Sequence, residues 1–217
     1  GAFICRGLRP LLKRHPSFPR RGIYPIIAGL LIAANASAAD NVCVVPGRGH
    51  FRIHVDSAGL FGAFGHNHLV EAQKIDGCAT VDMENPARSS VKLSFPASSL
   101  RVLDPNDSAE DRGKVQKTME TEVLRISEYP QITFEATAVE RPEIANQFRV
   151  RGNLTIHGRT QPVMIPVTVT RLDDGSYRAV GAYKFKQTTF GIKPIQLMGG
   201  TVKVKDEVRT EFELFLK

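Results

Sequence analysis

Four of the six histidines lie within one short stretch of the chain. His50 and His54 are four residues apart, and His66 and His68 are two apart. On an extended strand both spacings place the paired imidazoles on one side. If the two segments are neighbours, three or four imidazoles could converge on Zn²⁺ or Cu²⁺, with His66 and His68 the better pair. His50 and His54, however, alternate with Phe51, Ile53 and Val55, so their side faces solvent. Cys43 and Cys78 are the next reactive pair; a bridge between them would close 35 residues and contribute about 3–4 kcal/mol through chain entropy. The alternative for them is two buried thiols. No Cys-x-x-C supports thiol redox chemistry. Catalytic signatures are missing too: no Gly-x-Ser-x-Gly elbow, no phosphate loop and no Gly-x-Gly-x-x-Gly. His157 beside Gly158 sits in a hairpin and reads as structural. Nothing here reads as an enzyme.

The elements that must hold these residues are strands. Gly152–Val169 contains two alternating runs around Gly158-Arg159-Thr160, which reads as a hairpin. In the second run Val163, Ile165, Val167 and Val169 share one side, against Met164, Pro166 and Thr168. A period of two marks a strand with one apolar face. Further runs cover 49–55, 67–73, 78–84, 90–95, 132–139, 147–157, 177–186 and 208–216. Pro166 lacks a ladder donor and belongs at a bulge or a local opening. Only 108–124 breaks the period: Ser108 is a suitable N-cap, Glu110 and Asp111 suit the first turn, and Val115, Met119, Val123 and Ile126 form a narrow stripe. That helix lies over an apolar opening.

Eight to nine antiparallel strands with one apolar face close as a sandwich or a barrel. In a barrel the apolar positions face a lumen. The expected lining is Phe51 and Ile53 from the first strand, Leu69 from the second, Val91, Leu93 and Phe95, then Ile132 and Phe134. Later strands add Val167, Tyr183, Phe185, Phe212 and Leu214. Phe61 and Phe64, on the glycine-rich segment 59–65, would line the lumen and form its mouth.

Ahead of the strands lies a leader. Arg6, Arg9, Lys13, Arg14, Arg20 and Arg21 precede an apolar run at 23–34 and a small-x-small site at Ala36-Ser37-Ala38, the pattern of a secretory signal peptide. The run is too short to span a bilayer core of about 30 Å. Residues 1–38 are thus read as the signal peptide, cleaved near Ala38, and 39–217 as one domain in the periplasm or another exported space. The chain holds 29 Lys and Arg against 22 Asp and Glu. Six of the basic residues lie in the leader, so 23 against 22 remain, too even for a nucleic-acid partner. Cys5 leaves with the leader, and Cys43 and Cys78 remain as a pair in a disulfide-permissive compartment.

Five blocks in order resemble the YceI-like family of secreted, lipocalin-like proteins that bind polyisoprenoids. They are Gly65-His66-Asn67-His68-Leu69-Val70, Tyr129-Pro130-Gln131-Ile132-Thr133-Phe134, Gly152-Asn153-Leu154-Thr155-Ile156-His157-Gly158 with Gln161-Pro162-Val163, Thr189-Phe190-Gly191-Ile192, and Asp206-Glu207-Val208. The resemblance covers 50–216. It implies an all-β fold: an extended eight-stranded antiparallel barrel with one α-helix closing an end. It also implies a lumen for a long isoprenoid tail, such as that of a quinone or a polyprenyl phosphate, with no cofactor and no catalytic group. The expected partner is a long-chain isoprenoid or other lipidic ligand, accompanied by transient membrane contact. Burial of about 0.8 kcal/mol per CH₂ lets one or two isoprene units contribute several kcal/mol before ordering costs. The second reading is a periplasmic metal-binding or redox-associated protein using His66 and His68; the third is a β-sandwich without a cavity.

Overall fold

The computed structural model describes residues 38–59, 67–197 and 202–217. Residues 1–37 of the expected leader, and Phe61, Phe64 and His66, lie outside the described residues. The elements are β1 (Asp40–Gly59), β2 (His68–Ala72), β3 (Asp76–Val81), β4 (Ser90–Pro96), β5 (Leu100–Val102), α1 (Ala109–Thr118), β6 (Gln131–Glu140), β7 (Gln147–Ile156), β8 (Arg159–Arg171), β9 (Tyr177–Lys186), β10 (Gln196–Leu197) and β11 (Val202–Leu216).

The ladder runs β11-β9-β8-β7-β6-β4-β3-β1, and β1 pairs back onto β11, which closes the sheet. Every pairing is antiparallel. The upper half of β1 pairs with β2 (Ile53 opposite Val70), and its lower half with β3 (Cys43 opposite Cys78). β5 continues β4 in the same way, along β2. β2 with β3, and β4 with β5, are therefore interrupted single staves, and the barrel has eight. Closure leaves one continuous inner face, where four clusters of buried apolar side chains sit.

The Cys43–Cys78 disulfide joins β1 to β3 at directly opposed positions, with Cα atoms 3.9 Å apart. At the β7–β8 hairpin the turn residues are His157 and Gly158, both with positive φ (52° and 69°), one position earlier than the sequence suggested. Two such residues match the right-handed twist of the strands. On β6 the register slips between Ala136 and Ala138. That bulge turns Val139 inward, where strict alternation put Ala138. Pro166 pairs with Arg149 of β7, while the β8–β9 ladder starts only at Val167. Its missing donor thus falls where β8 parts from β9.

Ser108 caps α1: its hydroxyl accepts from the Asp111 N–H at 3.1 Å. A π-helical turn, Met119–Val123, follows. The wider turn brings Leu124, rather than the expected Ile126, onto the apolar cluster beneath, with Val115 and Met119. The Gln116 amide fastens the helix to β5, donating to Leu100 O at 2.8 Å and accepting from Val102 N at 2.9 Å.

Candidate functional site

The inner face does not pack solid. It encloses a cavity of about 270 Å³. An apolar cavity of about 150 Å³ suffices to stay dry and take up benzene. Seen from β1 and β11, Phe51 stacks parallel on its opposed partner Phe212 at 5.7 Å and meets Phe95 edge-on at 4.9 Å. Room for these rings comes from two glycines. Gly181 on β9 lies beneath Phe212, and Gly152 on β7 beneath Phe134. Among the described residues, Val123, Leu124, Ile156 and Ile192 line the cavity towards the helix, and Val81, Met83, Phe148 and Val169 towards the other end. Phe190, 1 % exposed, buries itself with Ile156 and Ile192 and meets Phe185 edge-on at 5.3 Å. Gly191, at φ 73°, ends the turn that carries it.

Polar groups on the wall are few. Asp82 is 4 % exposed, and its Oδ1 accepts from the Glu84 and Asn85 N–H groups at 3.1 and 2.7 Å. Tyr177 donates to Asp40 Oδ2 at 2.5 Å; burial first, then that carboxylate, pushes its phenol up to about 12. Gln187 donates to Lys205 O at 2.9 Å, and Thr210 to Tyr183 O at 3.0 Å. Burial raises the Tyr183 phenol as well. No Lys, Arg or His lies on the described wall.

Of the expected lining, Phe51, Ile53, Val91, Leu93, Phe95, Ile132, Phe134, Val167, Tyr183, Phe185, Phe212 and Leu214 all border the cavity. Leu69 does not. It opposes the outward-facing His54, and its neighbour Val70, opposite Ile53, takes the inner position. The run 67–73 has too weak an alternation to set its phase, and the register with β1 sets it instead. Gln187, Thr210 and Asp82 escaped the sequence reading because a polar residue on an apolar face carries no periodic signal. Their hydrogen-bond partners are distant in sequence or made by a turn.

The register also separates the histidines. His50 and His54 lie on the outer face, with His54 Nε2 3.1 Å from Glu211 Oε1 and His50 Nδ1 3.8 Å from Glu213 Oε2. His68 opposes the cavity-lining Val55, so it points to the other side of the sheet. Strand pairing therefore keeps His50 and His54 apart from His68, while His66 lies outside the described residues. His68 Nδ1 instead lies 2.6 Å from Asp104 Oδ2, while Asp104 Oδ1 accepts the Leu69 N–H at 2.6 Å. His68, Asp104 and Asp107 have donor atoms within 4.8 Å of one another, the spacing a metal would need. Both oxygens of the buried Asp104 are already occupied by these short contacts, which tie β2 to the segment leading into α1.

A closed barrel of eight antiparallel staves, one capping helix and an apolar lumen define a lipocalin-like protein. The chain belongs to the YceI-like family: the YceI-like domain profile matches residues 48–216. A UPF0312 protein of Pseudomonas aeruginosa is 31% identical over 175 residues, covering 76% of this chain and 83% of that protein. A UPF0312 protein of Azotobacter vinelandii is 30% identical over the same length. Among solved structures, BcnA of Burkholderia cenocepacia superposes with a TM-score of 0.62 at 21% identity, over 79% of this chain and 98% of that one. A polyisoprenoid binding domain from Saccharophagus degradans, implicated in plant cell wall breakdown, gives 0.58 at 11% identity, over 82% and 98%. At these identities the likeness is one of fold.

Proposed function

We propose that this protein binds a lipidic, isoprenoid-type chain in the barrel lumen, and sequesters or carries it without chemically changing it. The observation that carries the reading is the cavity of about 270 Å³ lined almost wholly by aliphatic and aromatic side chains. Such a wall offers burial and dispersion to a hydrocarbon chain. Membership of the YceI-like family, and a structural neighbour described as polyisoprenoid binding, support it. The setting is the periplasm or an equivalent exported space. A basic and apolar leader ending near Ala38 supports this, as does a disulfide, which persists in oxidising compartments.

Native mass spectrometry of the purified protein, followed by solvent extraction, tests the reading. A co-purifying hydrophobic mass, lost when Ala179→Phe fills part of the lumen, is the expected result. A folded wild-type protein that arrives empty and takes up no added isoprenoid overturns it. Sequencing the N-terminus of the exported protein checks the cleavage site.

A further inference from the structure

Tyr183 is the exception in the lumen wall. It stands on β9 in an apolar environment, packed against the cluster of Phe134, Phe148 and Val150, with its ring 6.2 Å from Phe185. The other polar side chains on the described wall with donors to satisfy have partners: Thr80 has Asn41 Oδ1, Ser89 has Asp82 O, Tyr177 has Asp40, Gln187 has Lys205 O, and Thr210 has Tyr183 O. The Tyr183 hydroxyl has no hydrogen-bond partner among the described residues, and Tyr183 borders the cavity. The hydroxyl keeps accessible surface, so an occupant of the lumen can reach it and accept its proton. Phenylalanine would fill the same space without offering a donor, so the hydroxyl gives the lumen a hydrogen-bond donor that the fold itself does not use.

The charge of the wall narrows the occupant further. No cation borders the described cavity, and its one carboxylate, Asp82, is held by its own turn through Oδ1 and by Arg88, whose Nε lies 3.6 Å from Oδ2. An anionic head group brought among these side chains would lose its hydration with no countercharge in return. We propose that the Tyr183 hydroxyl donates a hydrogen bond to an oxygen acceptor, a carbonyl or ether, on an uncharged isoprenoid ligand, and that the lumen discriminates against anionic head groups. The proposal rests on the lipid-binding reading and specifies the chemistry of the ligand.

The test compares three probes by native mass spectrometry titration on delipidated protein: farnesylacetone, an uncharged ketone; farnesane, a hydrocarbon; and farnesyl phosphate. Tyr183→Phe should weaken farnesylacetone binding about three- to tenfold, the weight of one net hydrogen bond, and leave farnesane unchanged or tighter. Farnesyl phosphate should compete poorly with the ketone on the wild-type protein. The variant loses no protein contact, so its Tm should equal or exceed that of the wild type, which separates ligand recognition from folding. If the ketone and the hydrocarbon both bind and Tyr183→Phe changes neither, the assignment is wrong while the lipid reading stands. If farnesyl phosphate competes as well as the ketone, the charge discrimination is wrong. If neither uncharged probe binds, the lipid reading itself falls.

Discussion

Phe212 on β11 lies over the backbone of Gly181, its directly opposed partner on β9: a methyl group at Gly181 would come within 2.4 Å of Phe212 Cζ. The Pro166 carbonyl oxygen, 2.8 Å from the same point, blocks the alternative of moving β9 away. Gly181 thus sets how far the Phe212 ring stands out from the wall, and so the width of the lumen beside Phe51.

Gly181→Ala should therefore destabilise the protein by about 1–3 kcal/mol, the usual cost of overpacking. It should also weaken isoprenoid uptake, because the displaced ring moves into the cavity. Urea denaturation and ligand titration check both. Adding Phe212→Leu should recover much of the stability; a double variant no more stable than Gly181→Ala alone would show that the ring is not the obstacle.

The disulfide closes a separation of 35 residues between two staves. Cys43→Ser with Cys78→Ser should cost about 3–4 kcal/mol in denaturant unfolding, and reductant should produce the same loss in the wild type and none in the variant. The β-sheet circular dichroism of the folded state should be retained, since the remaining β1–β3 ladder and β1–β11 pairing still close the barrel.

Asp104 joins β2 to the segment entering α1 through its contacts with the Leu69 N–H and His68. Asp104→Ala should cost about 3 kcal/mol, as a charged hydrogen-bonding group is removed from a buried site. Hydrogen exchange should accelerate first at α1 and β2 rather than at β7 and β8. Equal acceleration across the barrel would argue that Asp104 does not anchor the cap.

His157 predicts a pH dependence. Burial, reinforced by Arg125, holds its imidazole below the usual value, and its buried Nε2 has no hydrogen-bond partner among the described residues. The unfolded chain therefore takes up the proton more readily than the folded one. Its contribution to stability is complete above the unfolded value of about 6.5 and is lost as the pH falls towards the lower folded value. Asp174, Asp206 and Glu211 are held below their usual carboxylate values by hydrogen bonds, from Ser176, Thr188 and His54 in turn. Their contribution is lost only below about pH 4, as the solution falls through their folded values. Chemical denaturation from pH 7.5 to 5 should show a slope that His157→Asn flattens, asparagine tolerating the left-handed turn. An unchanged slope would remove His157 as its source.

Periodicity made most of this fold legible before any coordinates. Val163, Val167, Phe212 and Leu214 alternate so regularly that their side of the sheet follows from the chain alone, as does the cap formed by Ser108. Residues 67–73 show the limit, because a weak alternation leaves the phase open and misplaces Leu69. The Ala136–Ala138 bulge shows another: a one-residue slip reverses faces and leaves no mark in composition.

Local sequence, then, determined which segments are strands, which of their faces is apolar, and where α1 begins, because these depend on neighbours along the chain. Tertiary structure alone decided that His54 and His68 face opposite ways, that Asp104 holds the cap, and that the Tyr183 hydroxyl borders the lumen with no partner among the described residues. Each of those follows from which strand lies beside which, and in what register. Antiparallel pairing across a closed ring brings residues together by position in space, whatever their distance in sequence.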